Sequence, residues 1–332
     1  MLILIIIILG ISFLLYTLLG GADFGAGIIE TFAGKKEEAT ISKAMAPVWE
    51  ANHVWLILAV VILFTGFPRV YASISLVLHI PFMIILLGII CRGCAFIFRH
   101  YDVVNDHSHK YFTLLFRVSS FITPVFLGIV LGAMSLGRIT LNSDDRFYNI
   151  FIFPWLNFFC ISMGIFTASL FGYISAVFLV GEARIEWERK MYVKFAKRAM
   201  LITMFTGVIV FAAAIADGHN LVKDFLHSYV SICSLVFATL LCPVTWFFLN
   251  KEKNKTLRLR ICVGMQVSFI LAGWFFIQYP VLLLFKNGEQ LTFFNTQAPF
   301  ATLKQLLIAL LIGLVLVLPG FVYLFKIFKV KE

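Results

Sequence analysis

Nine long apolar stretches run through this 332-residue sequence and restrict it to one class of fold. They lie near residues 2–20, 47–67, 74–98, 116–136, 155–180, 199–216, 226–249, 259–279 and 303–328. Each is close to the roughly 20 residues that an α-helix needs to cross the hydrocarbon core of a membrane. Because lipid offers no hydrogen-bond partner to an open backbone, such stretches predict helices. We therefore predict an all-α, polytopic membrane protein with about nine transmembrane helices in a single integral membrane domain, residues 1–332.

The composition agrees with a membrane protein and excludes a soluble one. Hydrophobic residues make up 61% of the chain and charged residues 13%, far from the usage of soluble domains. Residues 1–19 have neither a basic n-region nor a small-residue cleavage site. We therefore expect the first apolar stretch to stay as a helix rather than to be removed as a signal peptide.

The distribution of basic residues predicts the orientation of the chain. When the connections are numbered from the N-terminus, the odd-numbered ones and the C-terminal tail hold 21 of the 27 Lys and Arg residues. The positive-inside rule then makes these segments cytoplasmic and the N-terminus external. The net charge of +10 thus reflects topology, and no nucleic-acid partner is predicted. The basic segment 182–198, which follows the fifth stretch, is predicted to be an interfacial linker.

An unusual mixture of polar and aromatic side chains lies at the start of the second apolar stretch. Pro47 is suited to the first position of a helix, which would place the residues that follow in its first turns. Ionisable groups at membrane depth usually face a bundle interior or a water-filled path, so these residues are functional candidates. The candidates are Trp49, Glu50, Asn52, His53 and Trp55.

A second group of candidates comes from the first and third stretches. Asp23 lies in a glycine-rich segment in which Gly21 and Gly25 permit close helix approach. It is either a solvated acid in a packing turn or a buried acid that faces a neighbouring helix. Arg92 and Arg99 are seven residues apart and hence on one helix face. The predicted topology brings both arginines to the same membrane level as Asp23, Glu50 and His53, although interfacial arginines often only snorkel to water.

The histidines and cysteines leave one further possibility open. Two axial histidines of a haem must face each other at similar depth, and His79 with His227 is the pairing that the predicted depths allow. A b-type cytochrome is therefore an alternative. Cys91 and Cys94 form a C-x-x-C pair without a second pair that would complete a zinc site, so we predict cysteines that pack helices, and no metal site.

Taken together, these segments resemble subunit II of the cytochrome bd-type quinol oxidases, including the cyanide-insensitive branch. Four motifs carry the resemblance, in the order of that family: residues 21–27 (GADFGAG), 47–56 (PVWEANHVWL), 67–71 (FPRVY) and 92–99 (RGCAFIFR). Helices 5–9 match mainly in hydropathy and in the late segment 291–303. The motifs therefore cover the first third of the chain.

The resemblance implies a fold, partners and cofactors. It implies two four-helix bundles, residues 1–136 and 155–279, with a peripheral last helix at 303–328. It implies an accessory subunit in the bacterial cytoplasmic (inner) membrane, bound to a haem-bearing subunit I and to possible small extra subunits. The complex would oxidise quinol and reduce oxygen to water. Low-spin haem b, high-spin haem b and haem d would lie in subunit I, this chain would ligate none of them, and a structural quinone is a further possibility.

The resemblance also suggests roles for the candidate residues. Asp23 and Glu50 would serve proton entry or inter-helix structure, with Asn52 and His53 as hydrogen-bonding neighbours. Arg92 and Arg99 would balance these acids or anchor a cofactor-facing surface. Trp49 and Trp55 would pack near the partner's haems. Ile97 stands where some family members have an acid, which removes one possible continuation of a proton path. The alternative function is a secondary transporter with a polar site at the cytoplasmic side of helices 1–3.

Overall fold

The computed structural model describes residues 1–34, 38–101, 108–141, 146–183, 185–251 and 256–330. Within these ranges it leaves out the side chains of residues 38–40, 42, 43, 45–48, 50, 100, 101, 108, 322 and 324–330. The described part contains twelve helices and one β-hairpin. The helices are α1 (Leu2–Ala33), α2 (Glu38–Gly66), α3 (Pro68–Val77), α4 (His79–Tyr101), α5 (Ser108–Ser135), α6 (Phe147–Phe151), α7 (Phe158–Glu182), α8 (Glu186–Ala216), α9 (Leu221–His227), α10 (Tyr229–Asn250), α11 (Thr256–Gln278) and α12 (Phe300–Val330).

Eight of the described helices are long and apolar enough to cross a membrane. They are α1, α4, α5, α7, α8, α10, α11 and α12. A ninth span is formed if α2 and α3 are counted together, although the chain bends by 112° between them. Pro68 is well placed at the start of α3 because the first position of a helix needs no N–H donor. The prediction of an all-α protein with about nine spans is confirmed.

The first two helices extend further than their apolar stretches predict. α1 continues through the glycine-rich segment to Ala33, so the packing turn considered for Asp23 is wrong. α2 begins at Glu38, so Pro47 lies inside this helix and Glu50 is not in its first turn. Hydropathy detects the part of a helix that lies in lipid, whereas α1 has 32 residues and is about 48 Å long. Polar helix ends beyond the hydrocarbon core therefore escape detection.

Two further boundaries differ from the prediction. The predicted linker 182–198 lies mostly within α8, which begins at Glu186. The charged first turns of α8 are helical but too polar to be counted as part of an apolar stretch. The stretch 74–98 is divided at Leu78, which separates α3 from α4. Leu78 is a non-helical C-cap whose N–H still bonds to the carbonyl of Ile74.

Small residues allow α1 to pack closely against two other helices. A Cβ added to Gly25 would lie 2.0 Å from the carbonyl oxygen of Phe171 in α7. One added to Gly27 would lie 2.3 Å from Oγ of Ser120 in α5. Gly21 has similarly little room beside Ile174. The predicted close approach at the glycine-rich segment is confirmed, and it places α1 in the centre of the molecule.

The described interior forms two large apolar clusters, one above the other along the helices. One contains Ile5 and Leu9 of α1 with the end of α2, α3 and the start of α12. The other contains Phe24 and Ile29 of α1 with α7 and the start of α8. We call the end of the molecule at which α1 finishes and α8 begins the basic end, and the other the opposite end. α7 packs against α1 and α5 as well as against α8. Because these contacts join the two predicted bundles, the division into residues 1–136 and 155–279 stays a prediction.

A β-hairpin covers the opposite end and was not expected from the sequence. β1 (Val281–Leu284) pairs antiparallel with β2 (Gln290–Thr292). Arg69 of α3 forms an ion pair of 2.7 Å with Glu289 in the hairpin loop. The N–H of Ala298 donates to the carbonyl of Gly66, at the bend between α2 and α3. The connection before α12 thus holds the bent second span in place.

A second polar junction at the opposite end joins α5, α7 and α8. Asp217 follows the last residue of α8, and its Oδ2 accepts a hydrogen bond of 2.7 Å from the N–H of Phe159 at the start of α7. Arg138, just after α5, donates to the carbonyl and to Oδ1 of Asp217. A carboxylate is favourable at this position because the first N–H groups of a helix have no internal partner.

Candidate functional site

The deepest polar contact in the described structure is the ion pair between Asp23 and Arg92. Nη1 of Arg92 donates to Oδ2 of Asp23 at 2.7 Å, and Nη2 donates to the backbone carbonyl of Asp23 at 2.6 Å. The side chains are 1% and 2% exposed. α1 and α4 are therefore joined at a point where neither charge reaches the surface of this chain. Of the two interpretations of Asp23, the buried acid that faces a neighbouring helix is the one observed.

The remaining surface of the Arg92 guanidinium is covered as well. Nε donates to Oγ of Ser120 in α5 at 3.0 Å. The rings of Phe24 and Phe116 lie with their centroids 4.8 Å and 4.9 Å from Cζ of Arg92. Arginine forms planar, forked hydrogen bonds and stacks on aromatic faces, which lysine does not do. Three helices are thus connected through one arginine, and the cation–π contacts compensate part of its desolvation.

A second ion-pair layer lies one heptad further toward the basic end. Nη2 of Arg99 donates to Oε2 of Glu30, and Nε of Arg117 donates to Oε1 of the same carboxylate, each at 3.1 Å. The Glu30 side chain is 1% exposed. Seven residues of helix correspond to about 10.5 Å, so the two layers are stacked along α1 and α4. Among the described side chains Arg99 pairs with Glu30 and not with Asp23, and a contact of Arg99 with Glu50 stays a prediction.

Sequence reasoning missed Glu30 and Arg117, although a signal for Glu30 was present. Asp23 and Glu30 are seven residues apart, as are Arg92 and Arg99. Each acid is therefore 69 residues from its arginine. Residues seven apart lie on one face of a helix. Two acids on one helix and two arginines on another, with the same spacing of seven, therefore predict two ion pairs stacked along the helices. Glu30 escaped notice because it lies beyond the glycine-rich segment 21–27 that drew attention to Asp23.

Several buried polar atoms near Asp23 lack a hydrogen-bond partner among the described residues. Asp23 Oδ1, the hydroxyl of Tyr16 and both amide atoms of Asn52 are buried without a hydrogen-bond partner among the described residues. Asn52 lies against Gly20, whose added Cβ would be 3.0 Å from its Oδ1. The Asn52 amide and Asp23 interact electrostatically, but their geometry is short of a full hydrogen bond. Buried polar groups of this kind commonly bind internal water.

The other predicted residues of the second helix lie around this group. His53 is half-buried, within electrostatic range of Asp23, and its ring is 5.6 Å from that of Trp49. Trp49 also contacts Phe96 of α4 at 5.3 Å. Trp55 is buried against Phe321 of α12, with ring centroids 5.8 Å apart. The Glu50 side chain lies outside the described residues, so its predicted place at this level stays a prediction.

The described residues offer no metal site and give no support to a haem held by this chain. They contain no group of three or more His, Cys, Asp and Glu side chains that could hold a metal ion. His79 and His227 are both exposed, and each Nδ1 is bonded to a backbone carbonyl one turn or less away. Such side chains do not form the facing, buried pair that axial ligation needs. Cys91 and Cys94 are free thiols on α4.

A third polar cluster lies between α7, α10 and α11 and has no formal charge. Oε1 of Gln266 accepts a hydrogen bond of 2.7 Å from the Tyr173 hydroxyl and one of 3.3 Å from Thr245. All three side chains are buried. The sequence signal was Gln266 itself, an uncharged polar residue in the middle of the stretch 259–279. Its contacts join three helices without the desolvation cost of an ion.

The comparisons with known proteins identify the family. A family model described as cytochrome bd terminal oxidase subunit II matches residues 1–328. This chain belongs to that family. The motif-based resemblance is confirmed, and it extends well beyond the first third of the chain.

Individual relatives agree with this subunit II assignment. Cytochrome bd ubiquinol oxidase subunit 2 of Bacillus subtilis (strain 168) is 25% identical over 330 residues, 97% of this chain and 94% of the relative. A putative cytochrome bd menaquinol oxidase subunit II of the same organism is 24% identical over 341 residues, 98% and 95% of the two chains. A chain in the structure of the bd oxidase from Geobacillus thermodenitrificans has the same fold, with a TM-score of 0.80 at 20% identity over 100% of this chain and 99% of that one.

Membership of the subunit II family establishes the general role of the chain. It is an accessory subunit of a bd-type quinol oxidase, an oxidoreductase complex of the bacterial inner membrane. The family implies haems in the complex and at least one partner subunit. The transporter alternative has no support from any of these comparisons.

Proposed function

We propose that this subunit II is a scaffold for a haem-bearing subunit I and that it ligates no haem itself. In this proposal low-spin haem b, high-spin haem b and haem d belong to subunit I, and quinol and oxygen react there. The observation that carries the proposal is the Asp23–Arg92 pair, in which a doubly anchored guanidinium connects α1, α4 and α5. The basic end is assigned to the cytoplasm and the N-terminus to the outside, as the charge distribution predicts.

The geometry favours a structural role for the two ion-pair layers. If Asp23 were protonated, Arg92 would become an uncompensated cation among apolar side chains, and such a charge is costly. The Asp23–Arg92 contact therefore braces the helices as an ion pair as long as the carboxylate is ionised. Glu30 is held between two arginines, Arg99 and Arg117. Hydrogen bonds of this kind fix the position of a carboxylate and suit a bracing role.

A second role is favoured by the unsatisfied groups on the other side of Asp23. Oδ1 of Asp23, the Tyr16 hydroxyl and the Asn52 amide would accommodate internal water, and His53 is close by. A short water chain could bring protons from the basic end, where Glu50 also belongs by its position in α2. Proton entry through Asp23 and Glu50 is therefore the second candidate. A structural quinone and small extra subunits stay predictions from the resemblance.

Reduced-minus-oxidised spectra test the assignment of the haems. This chain is expressed alone and together with a bd-type subunit I, and each membrane protein is purified by a tag on this chain. We expect haem absorbance in the copurified pair and none in the isolated chain, together with quinol oxidation by the pair only. Haem in the isolated chain at one equivalent or more would overturn the proposal. A copurified pair that contains haems but does not oxidise quinol would contradict the scaffold role.

A further inference from the structure

Three basic side chains and two aromatic rings form a continuous surface where α8 begins and α10 ends. They are Arg189 and Lys197 on α8, and Trp246, Phe247 and Lys251 at the end of α10; we call them the α8–α10 basic surface. Nζ of Lys197 lies 5.0 Å from the ring centroid of Trp246, and Nζ of Lys251 lies 4.1 Å from that of Phe247. Both helices reach the same membrane level here, at the basic end.

Among the described residues, the side-chain contacts of these three cations are with neutral groups. Lys197 donates to the amide oxygen of Asn250. Nη2 of Arg189 donates to the backbone carbonyl of Lys251, and Nε of Arg189 is buried without a hydrogen-bond partner. Aromatic faces, an amide and a carbonyl orient the cations without cancelling their charge. Positive charge is therefore concentrated at one place.

An apolar path leads from this surface toward the middle of the membrane. Phe237, Leu240, Val244 and Phe247 are exposed large side chains of α10 at spacings of three and four residues, so they lie on one helix face. Trp246 is 36% exposed and Phe247 53%, which is enough for contact with a bound molecule. Basic residues above an apolar helix face match the two parts of a phospholipid, and basic clusters beside membrane helices attract anionic headgroups.

We propose that the α8–α10 basic surface binds the phosphate of an anionic phospholipid whose acyl chain lies along this face of α10. Arg189, Lys197 and Lys251 contact the headgroup, and Trp246 packs against the glycerol region, where indole rings are commonly found in membranes. The inference goes beyond the scaffold function, and it does not depend on the location of the haems. It commits to a lipid because a free phosphate would not use the apolar path.

Quenching of Trp246 fluorescence by brominated lipid tests this proposal. The purified oxidase complex is placed in phosphatidylcholine nanodiscs that contain a small fraction of brominated phosphatidylglycerol or, in parallel, brominated phosphatidylcholine. The contribution of Trp246 is the difference between the wild-type complex and the Trp246→Phe complex. We expect brominated phosphatidylglycerol to quench this contribution at several-fold lower mole fraction than brominated phosphatidylcholine. Equal quenching by the two lipids would overturn the proposal.

Two charge-matched double variants decide which cations are responsible. Lys197→Gln/Lys251→Gln should weaken phosphatidylglycerol binding by about tenfold or more, since each cation near a membrane surface contributes roughly fivefold. Lys190→Gln/Lys194→Gln removes the same charge from exposed positions of α8 and should keep the preference. Equal losses in both variants would indicate general surface charge and contradict the site. Loss of quenching upon addition of millimolar glycerol phosphate would assign the surface to a soluble anion and also contradict it.

Discussion

At the scale of single residues, the properties of Asp23 follow from its partner. A carboxylate in the middle of α1 is acceptable because Arg92 supplies two hydrogen bonds and a compensating charge. Ser120 and two phenylalanine rings satisfy the rest of the guanidinium. The same logic applies to Glu30 with Arg99 and Arg117. Replacing one partner of a buried ion pair destabilises a protein more than replacing both, because the remaining charge is left without a partner.

Asp23→Asn is expected to destabilise the complex by about 3–5 kcal/mol, the usual cost of leaving a buried charge unpaired. The double variant Asp23→Asn/Arg92→Gln should recover a large part of this loss, because no lone charge remains. Thermal unfolding of the purified complex, followed by haem absorbance, measures both. If Asp23 instead carries protons, the single variant will assemble normally with slow oxygen reduction, and the double variant will not restore the rate.

Glu50 is tested separately, because its side chain lies outside the described residues and its role in proton entry stays a prediction. Glu50→Gln should slow oxygen reduction by roughly tenfold or more, as loss of a proton-transferring group commonly does, while the complex still assembles. Glu50→Asp keeps the carboxylate and serves as the control. Turnover is measured with an oxygen electrode on preparations of equal haem content. Unchanged turnover in an assembled Glu50→Gln complex would remove Glu50 from any proton path.

At the scale of secondary-structure elements, α1 is central because its glycines have no side chain. α5 and α7 can therefore pack directly against the backbone of α1. The carbonyl of Phe171 and the hydroxyl of Ser120 occupy the space where side chains would otherwise lie. Close backbone approach of this kind stabilises helix packing in lipid, where the hydrophobic effect does not hold helices together. The ion pairs of Asp23 and Glu30 lie on the same part of α1, so close approach and charge pairing support each other.

Gly25→Ala is expected to destabilise the complex by about 1–3 kcal/mol or more through overpacking. Its added Cβ would lie 2.0 Å from a backbone oxygen, which cannot move as a flexible side chain would. Gly10→Ala is the matched control on the same helix, since a Cβ added there has no neighbour within 4 Å. The loss of haem absorbance on heating compares the two complexes. Equal midpoints would show that the α1–α7 contact is looser than described.

At the scale of the whole molecule, charge is segregated between the two ends. The ion-pair layers and the α8–α10 basic surface lie toward the basic end. The opposite end is closed by the hairpin and by the junction of Asp217 with Arg138. This arrangement agrees with a chain whose basic end faces the cytoplasm, where positively charged segments are retained during insertion.

Reporter fusions on the two sides of α11 measure this orientation. Alkaline phosphatase, which folds only outside the cytoplasm, is fused after Lys251 at the basic end or after Asn287 in the hairpin loop. We expect an active enzyme for the Asn287 fusion and an inactive one for the Lys251 fusion. A fluorescent protein that matures only in the cytoplasm should give the reverse pattern. Activity of the phosphatase after Lys251 would invert the proposed topology.

Much of the architecture was predictable because membrane helices are specified locally. Lipid imposes the length of each span, and loop charge imposes orientation, so neither depends on which helices touch. The resemblance also identified Asp23 and Arg92 as related residues. The helix ends were less predictable: α1, α2 and α8 extend beyond their apolar stretches, because hydropathy reports contact with lipid and not helical backbone.

By itself, the sequence determined the class of protein, the approximate number of spans, the distribution of charge and the family. Only the tertiary structure decided that Arg99 binds Glu30, that Arg117 joins them, and that a hairpin closes the opposite end. The physical reason is that a pairing depends on the rotation and depth of helices that are distant in sequence. Asp23 and Arg92 are separated by 69 residues, and packing around the glycines of α1 sets their register.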